Sequence, residues 1–94
     1  MPRWTEFTDQ LSIDGDRYDG ASDVTSCQNY CASQPTCLAI DFNMEENSCW
    51  LHDNPDALLE SNTYWQVNTN HYRINRTCVT VTTGSSVVRF FQYL

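Results

Sequence analysis

The chain has 94 residues, 12 acidic and 5 basic side chains and a formal charge of −7, which fits one domain with a thin apolar core. All five basic residues are Arg, and with a pI near 4.3 the clustered positive charge that nucleic acid requires is missing. Hydrophobic residues at 40% and aromatics at 13% exclude a disordered segment. No apolar run is long enough for a membrane span, so membrane insertion is not expected. The opening Met1-Pro-Arg-Trp-Thr-Glu has no signal-peptide core, and any secretion signal is expected to have been removed or to lie outside this sequence.

In chain order, Phe7, Leu11 and Ile13 mark a first, irregular strand over Thr5 to Ile13. Asp14 to Gly20 reads as a turn by composition. Ser22 or Asp23 caps a helix over Val24 to Ser33, which Pro35 ends; Val24, Cys27 and Cys31 share one face of it. The period then switches to two. Leu38, Ile40 and Phe42 point one way and Cys37 and Ala39 the other, with a hairpin loop over Asn43 to Asn47. The return strand Ser48 to His52 puts Cys49 and Leu51 opposite Trp50, so Cys37 and Cys49 are expected to share the sheet face that the helix covers. Asp53 to Asp56 is a loop and Ala57 to Leu59 a short turn of helix or irregular chain. Further strands are expected over Thr63 to Gln66, Asn70 to Ile74, Cys78 to Thr82 and Val87 to Tyr93. The simplest arrangement is α+β: one helix packed across a central antiparallel sheet.

Five cysteines, Cys27, Cys31, Cys37, Cys49 and Cys78, are many for a chain of this size. Gaps of three, five and eleven residues between the first four do not match the tight knuckles of a zinc site, so a disulfide framework in an oxidising compartment is expected. The sequon Asn75-Arg76-Thr77 points independently to secretion and makes Asn75 a glycosylation candidate. A sharp turn at Pro35 favours Cys31 with Cys37 and leaves Cys27 for Cys49. Spacing alone also admits the crossed pairing.

The pattern Ser22-x4-Cys27-x3-Cys31-x5-Cys37-Leu-Ala-Ile-Asp-Phe, then Cys49-Trp-Leu-His and Tyr72-Arg-Ile-Asn-Arg-Thr-Cys78, resembles the PAN/apple family of extracellular modules. The resemblance spans about residues 5 to 78, with residues 79–94 as a β-prone extension, a hairpin or an added strand. It implies a helix tied to the sheet by Cys27–Cys49 and Cys31–Cys37. Apple-type members also join the last cysteine to one near the N-terminus. Cys78 matches the last, but no cysteine precedes Cys27. Cys78 is therefore a buried free thiol, a link between two copies, or a bridge to a segment outside this sequence.

Catalysis is not expected. Only His52 and His71 could act as bases near neutrality, there is no Gly-x-Ser-x-Gly elbow, and His52 reads as a half-exposed strand residue. Glu45-Glu46 has no apolar surroundings to raise a pKa. Asp14, Asp16 and Asp19 resemble the start of a calcium loop, but Thr25 stands where a bidentate Glu is needed, and a solvated turn explains them. No cofactor and no metal are expected. Tyr64, Trp65, Gln66, Asn68, Asn70, His71, Tyr72 and Arg73 combine aromatic faces with amides and a guanidinium, the groups that hold sugar rings and protein hot spots. The competing account makes Trp65 and Tyr72 core residues and the amides solvated strand positions. The resulting expectation is a non-catalytic, secreted or extracellular recognition and adhesion module for a protein partner, with lectin-like carbohydrate binding as the alternative. Homodimerisation through Cys78 or the C-terminal strand is a further expectation.

Overall fold

The computed structural model describes the backbone of residues 3–83 and 86–93 and the side chains of residues 3–75. Eight strands and one helix follow the order β1 (Arg3–Phe7), β2 (Gln10–Ser12), β3 (Asp16–Tyr18), α1 (Val24–Ser33), β4 (Ala39–Asn43), β5 (Ser48–His52), β6 (Thr63–Trp65), β7 (Thr69–Thr83) and β8 (Ser86–Tyr93). Two single turns of 3-10 helix, Pro55–Leu58 and Glu60–Asn62, join β5 to β6. The antiparallel sheet runs β1-β7-β4-β5-β3, with β8 paired to the far half of β7, and β2 and β6 form a separate two-stranded ribbon. This is the α+β arrangement of one helix on an antiparallel sheet.

Helix α1 starts at Asp23, whose carboxylate accepts a hydrogen bond from the Ser26 backbone N–H at 2.7 Å. That bond holds the Asp23 carboxyl below its ordinary value. At the other end the Gln34 N–H donates to the Cys31 carbonyl, and Pro35 prevents continuation. Cys27 and Cys31, one turn apart, are the buried residues of the helix. They form Cys27–Cys49, to the second residue of β5, and Cys31–Cys37, to the segment entering β4. Around them the helix-side face of the sheet supplies Ile40, Phe42 and Tyr72, with Leu51, Tyr18 and Trp4 half-buried against them. Tyr18 also stacks on Tyr30 of α1 at 3.7 Å between ring centroids. Gly20 makes room for that ring, since a Cβ there would come within 2.3 Å of the phenol.

Four expectations change. The strand expected over Thr5 to Ile13 is two, because Asp9 takes φ 56° and turns the chain. β1 then pairs with β7 while β2 leaves the sheet to pair with β6. A short Asp or Asn side chain tolerates this left-handed backbone through local hydrogen bonds, and the Asp9 carboxylate accepts from the Asn68 N–H at 3.0 Å. The turn over Asp14 to Gly20 contains β3, an edge strand on β5. The separate strands expected over Asn70 to Ile74 and Cys78 to Thr82 are one strand, Thr69–Thr83, which leaves β1 and β4 and continues beside β8. Finally, the face of the sheet that meets the helix is that of Ile40 and Phe42, paired with Leu51 and Cys49 of β5, and not that of Ala39, because Cys37 lies before β4 and outside its alternation; both faces of β4 are buried. The helix covers one face; the β2–β6 ribbon and the connection from β5 cover the other. The side chain of Cys78 lies outside the described residues.

Each bridge is expected to contribute about 2–4 kcal/mol by restricting the unfolded chain, against a total of about 5–15 kcal/mol for a domain. Reduction should therefore unfold the protein, read as loss of the near-ultraviolet dichroism of its aromatics. A reduced protein with an unchanged melting temperature would contradict this.

Candidate functional site

The face of the sheet turned away from the helix carries a buried polar centre. Strand alternation and register bring Asp41 of β4 beside His71 of β7 and next to the strand that bears His52. The Asp41 carboxylate accepts three N–H bonds: His52 Nε2 to Oδ2 at 2.5 Å, His71 Nδ1 to Oδ1 at 2.7 Å, and the Ser12 backbone N–H to Oδ2 at 3.0 Å. Arg73 Nε donates to His71 Nε2 at 3.1 Å, which places the proton of neutral His71 on Nδ1, facing Asp41. The Ser12 hydroxyl donates to the Ala57 carbonyl at 2.7 Å. Burial alone would raise the Asp41 carboxyl, but hydrogen bonds from both histidines outweigh it and hold it below its ordinary 3.8. His52, expected to be half-exposed, is 2% exposed, packed against Gly15, Asp41 and the His71 ring. Its Nδ1 is buried without a hydrogen-bond partner.

This constellation is not a nucleophilic triad. In a triad the carboxylate and the hydroxyl sit on opposite nitrogens of the imidazole. Here Ser12 Oγ and Asp41 both approach Nδ1 of His71, Nε2 is taken by Arg73, and the hydroxyl is committed to Ala57. Asp41, His52 and His71 also have ligand-type atoms within 4.8 Å of one another. An ion on His71 Nδ1 would have to displace the proton that Arg73 keeps there. The arrangement is a hydrogen-bond network that joins β2, β4, β5 and β7.

The aromatic and amide residues singled out in the sequence divide between two environments. Tyr64 and Trp65 of β6 are 51% and 75% exposed, with Gln66 and Asn68 also exposed and Val67 open beside them. Asn70, His71 and Tyr72 lie inside, because from Thr69 onward β7 sits between β1 and β4. Burial and Glu6 raise the Tyr72 phenol; its hydroxyl donates to Glu6 Oε1 at 3.1 Å and accepts from Asn70 Nδ2 at 3.3 Å. These three are unavailable as surface contacts. Arg73 is half-buried and connects the two environments: its Nε reaches His71, while its guanidinium carbon lies 4.6 Å from the centroid of the Phe7 ring. A groove of about 560 Å³ runs along Phe7, Arg73, Tyr64 and Trp65. Asn75, the glycosylation candidate, is half-buried on β7 opposite Arg3.

With the two bridges, the helix and the sheet order in place, comparison with known families is direct. A model described as the PAN domain matches residues 8–78. The chain belongs to the PAN domain family. No curated protein resembles the chain closely enough to count as a relative. The PAN family is one of protein- and carbohydrate-binding modules that are generally non-catalytic and extracellular, and the two disulfides fit that setting. No helix among the described residues is long and apolar enough to cross a membrane.

The polar centre of this PAN domain was not foreseen. Alternation put Asp41 opposite Ile40 and His52 opposite Leu51, but nothing local disclosed the register that joins Asp41 to His71. Because the Asp41 carboxyl is lowered in the folded state, its ionised form stabilises the fold above the ordinary carboxylate pKa, and that contribution is lost as pH falls through the folded value. Asp41→Asn should cost about 3 kcal/mol near neutrality. The gap from the parent protein should narrow only below about pH 4. Urea unfolding of both proteins across that range checks the size and the sign.

Proposed function

We propose that this PAN domain is a non-catalytic extracellular recognition module that binds a protein partner through the aromatic shelf of β6. The observation that carries the reading is Trp65, three-quarters exposed on a short strand. A solvated indole is a poor use of apolar area unless something covers it, and Trp, Tyr and Arg are the residues that dominate protein interfaces. Tyr64 and Leu58 line the groove with Trp65, and Arg73, held over Phe7, borders it with a cation whose position is already fixed. Fixing these groups before binding lowers the ordering cost of association. Gln66 and Asn68 supply hydrogen-bonding capacity at the same end of the ribbon.

A flat aromatic face next to a guanidinium also suits a sugar ring, and glycan binding is the outcome that would replace a protein partner. Trp65→Ala should leave the melting temperature unchanged and lower partner affinity at least tenfold, the loss expected for a central interface aromatic. The check is capture of extracellular proteins by the oxidised domain, with a glycan array run in parallel. Array binding that Trp65→Ala abolishes, with no protein captured, would overturn the protein reading in favour of the glycan.

A further inference from the structure

A second cleft, of about 600 Å³, lies on the other side of the β2–β6 ribbon from the aromatic groove. Leu11 and Ile13 border it on the ribbon side, and Trp50 of β5 forms an aromatic wall whose indole N–H donates to Ser48 Oγ at 3.0 Å. Three of its lining side chains are almost fully buried: Ser12, whose hydroxyl is already committed to the Ala57 carbonyl, and two others. One is the Asp41 carboxylate. It accepts three hydrogen bonds, and a carboxylate has about four lone-pair positions, so one is left. The other is Thr69, 3% exposed, whose hydroxyl has no hydrogen-bond partner. An unsatisfied buried hydroxyl is costly, and one that lines an open cleft is satisfied by whatever enters it.

The charge of the lining defines the visitor. Asp14, Asp41 and Glu46 contribute three carboxylates, and no Lys or Arg lines the cleft. Arg17, whose guanidinium carbon lies 5.7 Å from the centroid of the Trp50 ring, is outside the lining and already paired with Asp19. An anion is repelled, and a neutral ring gains nothing from this field. A divalent ion needs several ligand atoms together, yet the only such group among the described residues is Asp41 with His52 and His71, not Asp41 with Asp14 and Glu46. We infer that this cleft receives a primary ammonium group on an aliphatic stem, the side chain of a lysine carried by the protein partner. Its three N–H donors meet the free Asp41 position and the Thr69 hydroxyl, and its methylenes lie along Leu11, Ile13 and Trp50. The source of the lysine rests on the protein-partner reading; the ammonium preference of the cleft does not.

The test is an NMR titration of the oxidised protein with Nα-acetyl-lysine N-methylamide, the norleucine counterpart that lacks the amine, and methyl α-glucopyranoside as a neutral polyol. The lysine compound is expected to saturate the Trp50 indole and Thr69 amide shifts with a Kd on the order of 1 mM. The other two should bind at least tenfold more weakly, and added salt should weaken the lysine compound. Thr69→Val, which keeps the shape and removes the hydroxyl, should lower affinity about tenfold. Glu46→Gln, at an exposed position, should lower it severalfold without touching the fold, and carries the test if Thr69→Val does not fold. Equal binding of the norleucine compound or the glycoside overturns the inference, as does the absence of a saturable shift at the solubility limit of the lysine compound. Because these probes read the cleft alone, either result leaves the aromatic shelf to be judged by Trp65→Ala.

Discussion

One carboxylate holds the two halves of this domain together. Asp41 sits in the middle of β4 and takes N–H donors from β5, from β7 and from the backbone of β2. A buried charge survives only where hydrogen bonds replace most of its hydration, so the three donors are a condition of the residue being there at all. The Ser12 bond matters beyond its own energy, because Ser12 ends the strand that pairs with β6, and β6 carries Tyr64 and Trp65. The sheet thus reaches through Asp41 to hold the ribbon on which the recognition surface stands.

The two faces of the sheet are secured by different means. Toward the helix, two disulfides and an apolar cluster of Ile40, Phe42 and Tyr72 hold α1 down. This suits a chain too small to rely on burial alone. Away from the helix, a polar network with the Asp41 carboxylate at its centre, joined by Ser12 to Ala57 and by Asp9 to Asn70, holds the ribbon. Apolar contact is non-directional, whereas a network with fixed donors admits one arrangement. That difference suits a face whose task is to present side chains in defined positions. The aromatic groove and the acidic cleft lie on either side of the same ribbon, so a partner that straddled it could use both, and steric access to either depends on where the ribbon lies.

Much of this was legible from the residues themselves. The helix limits, the cap at Asp23 and the alternation of β4 and β5 all depend on contacts close in sequence, and local patterning reports those. The PAN resemblance supplied the pairing of Cys27 with Cys49 and Cys31 with Cys37, which spacing had left open. Long-range register was invisible. His52 looked half-exposed because it ends β5 beside the polar loop Asp53 to Asp56, while Gly15, Asp41 and His71, which pack against it, come from elsewhere in the chain. Asn70 looked like a surface amide for the same reason, whereas Tyr72 stood open between a ligand contact and a core residue, and the core reading is the one the structure bears out. Asp9 and Asp14 gave a signal in principle, since Asp tolerates positive φ, yet a single residue does not show that the chain leaves one sheet for another ribbon.

The central claim is that Asp41 fixes the β2–β6 ribbon and, with it, the aromatic shelf. Amide hydrogen exchange, comparing the parent protein with Asp41→Asn under native conditions, tests it most directly. Exchange protection reports local opening residue by residue. The account predicts that the amides of Ser12, Ile13 and Gln66 lose protection selectively in the variant, while those within α1 keep theirs. If the ribbon amides stay as protected as before, or α1 opens to the same extent, Asp41 does not hold the ribbon and the account is wrong.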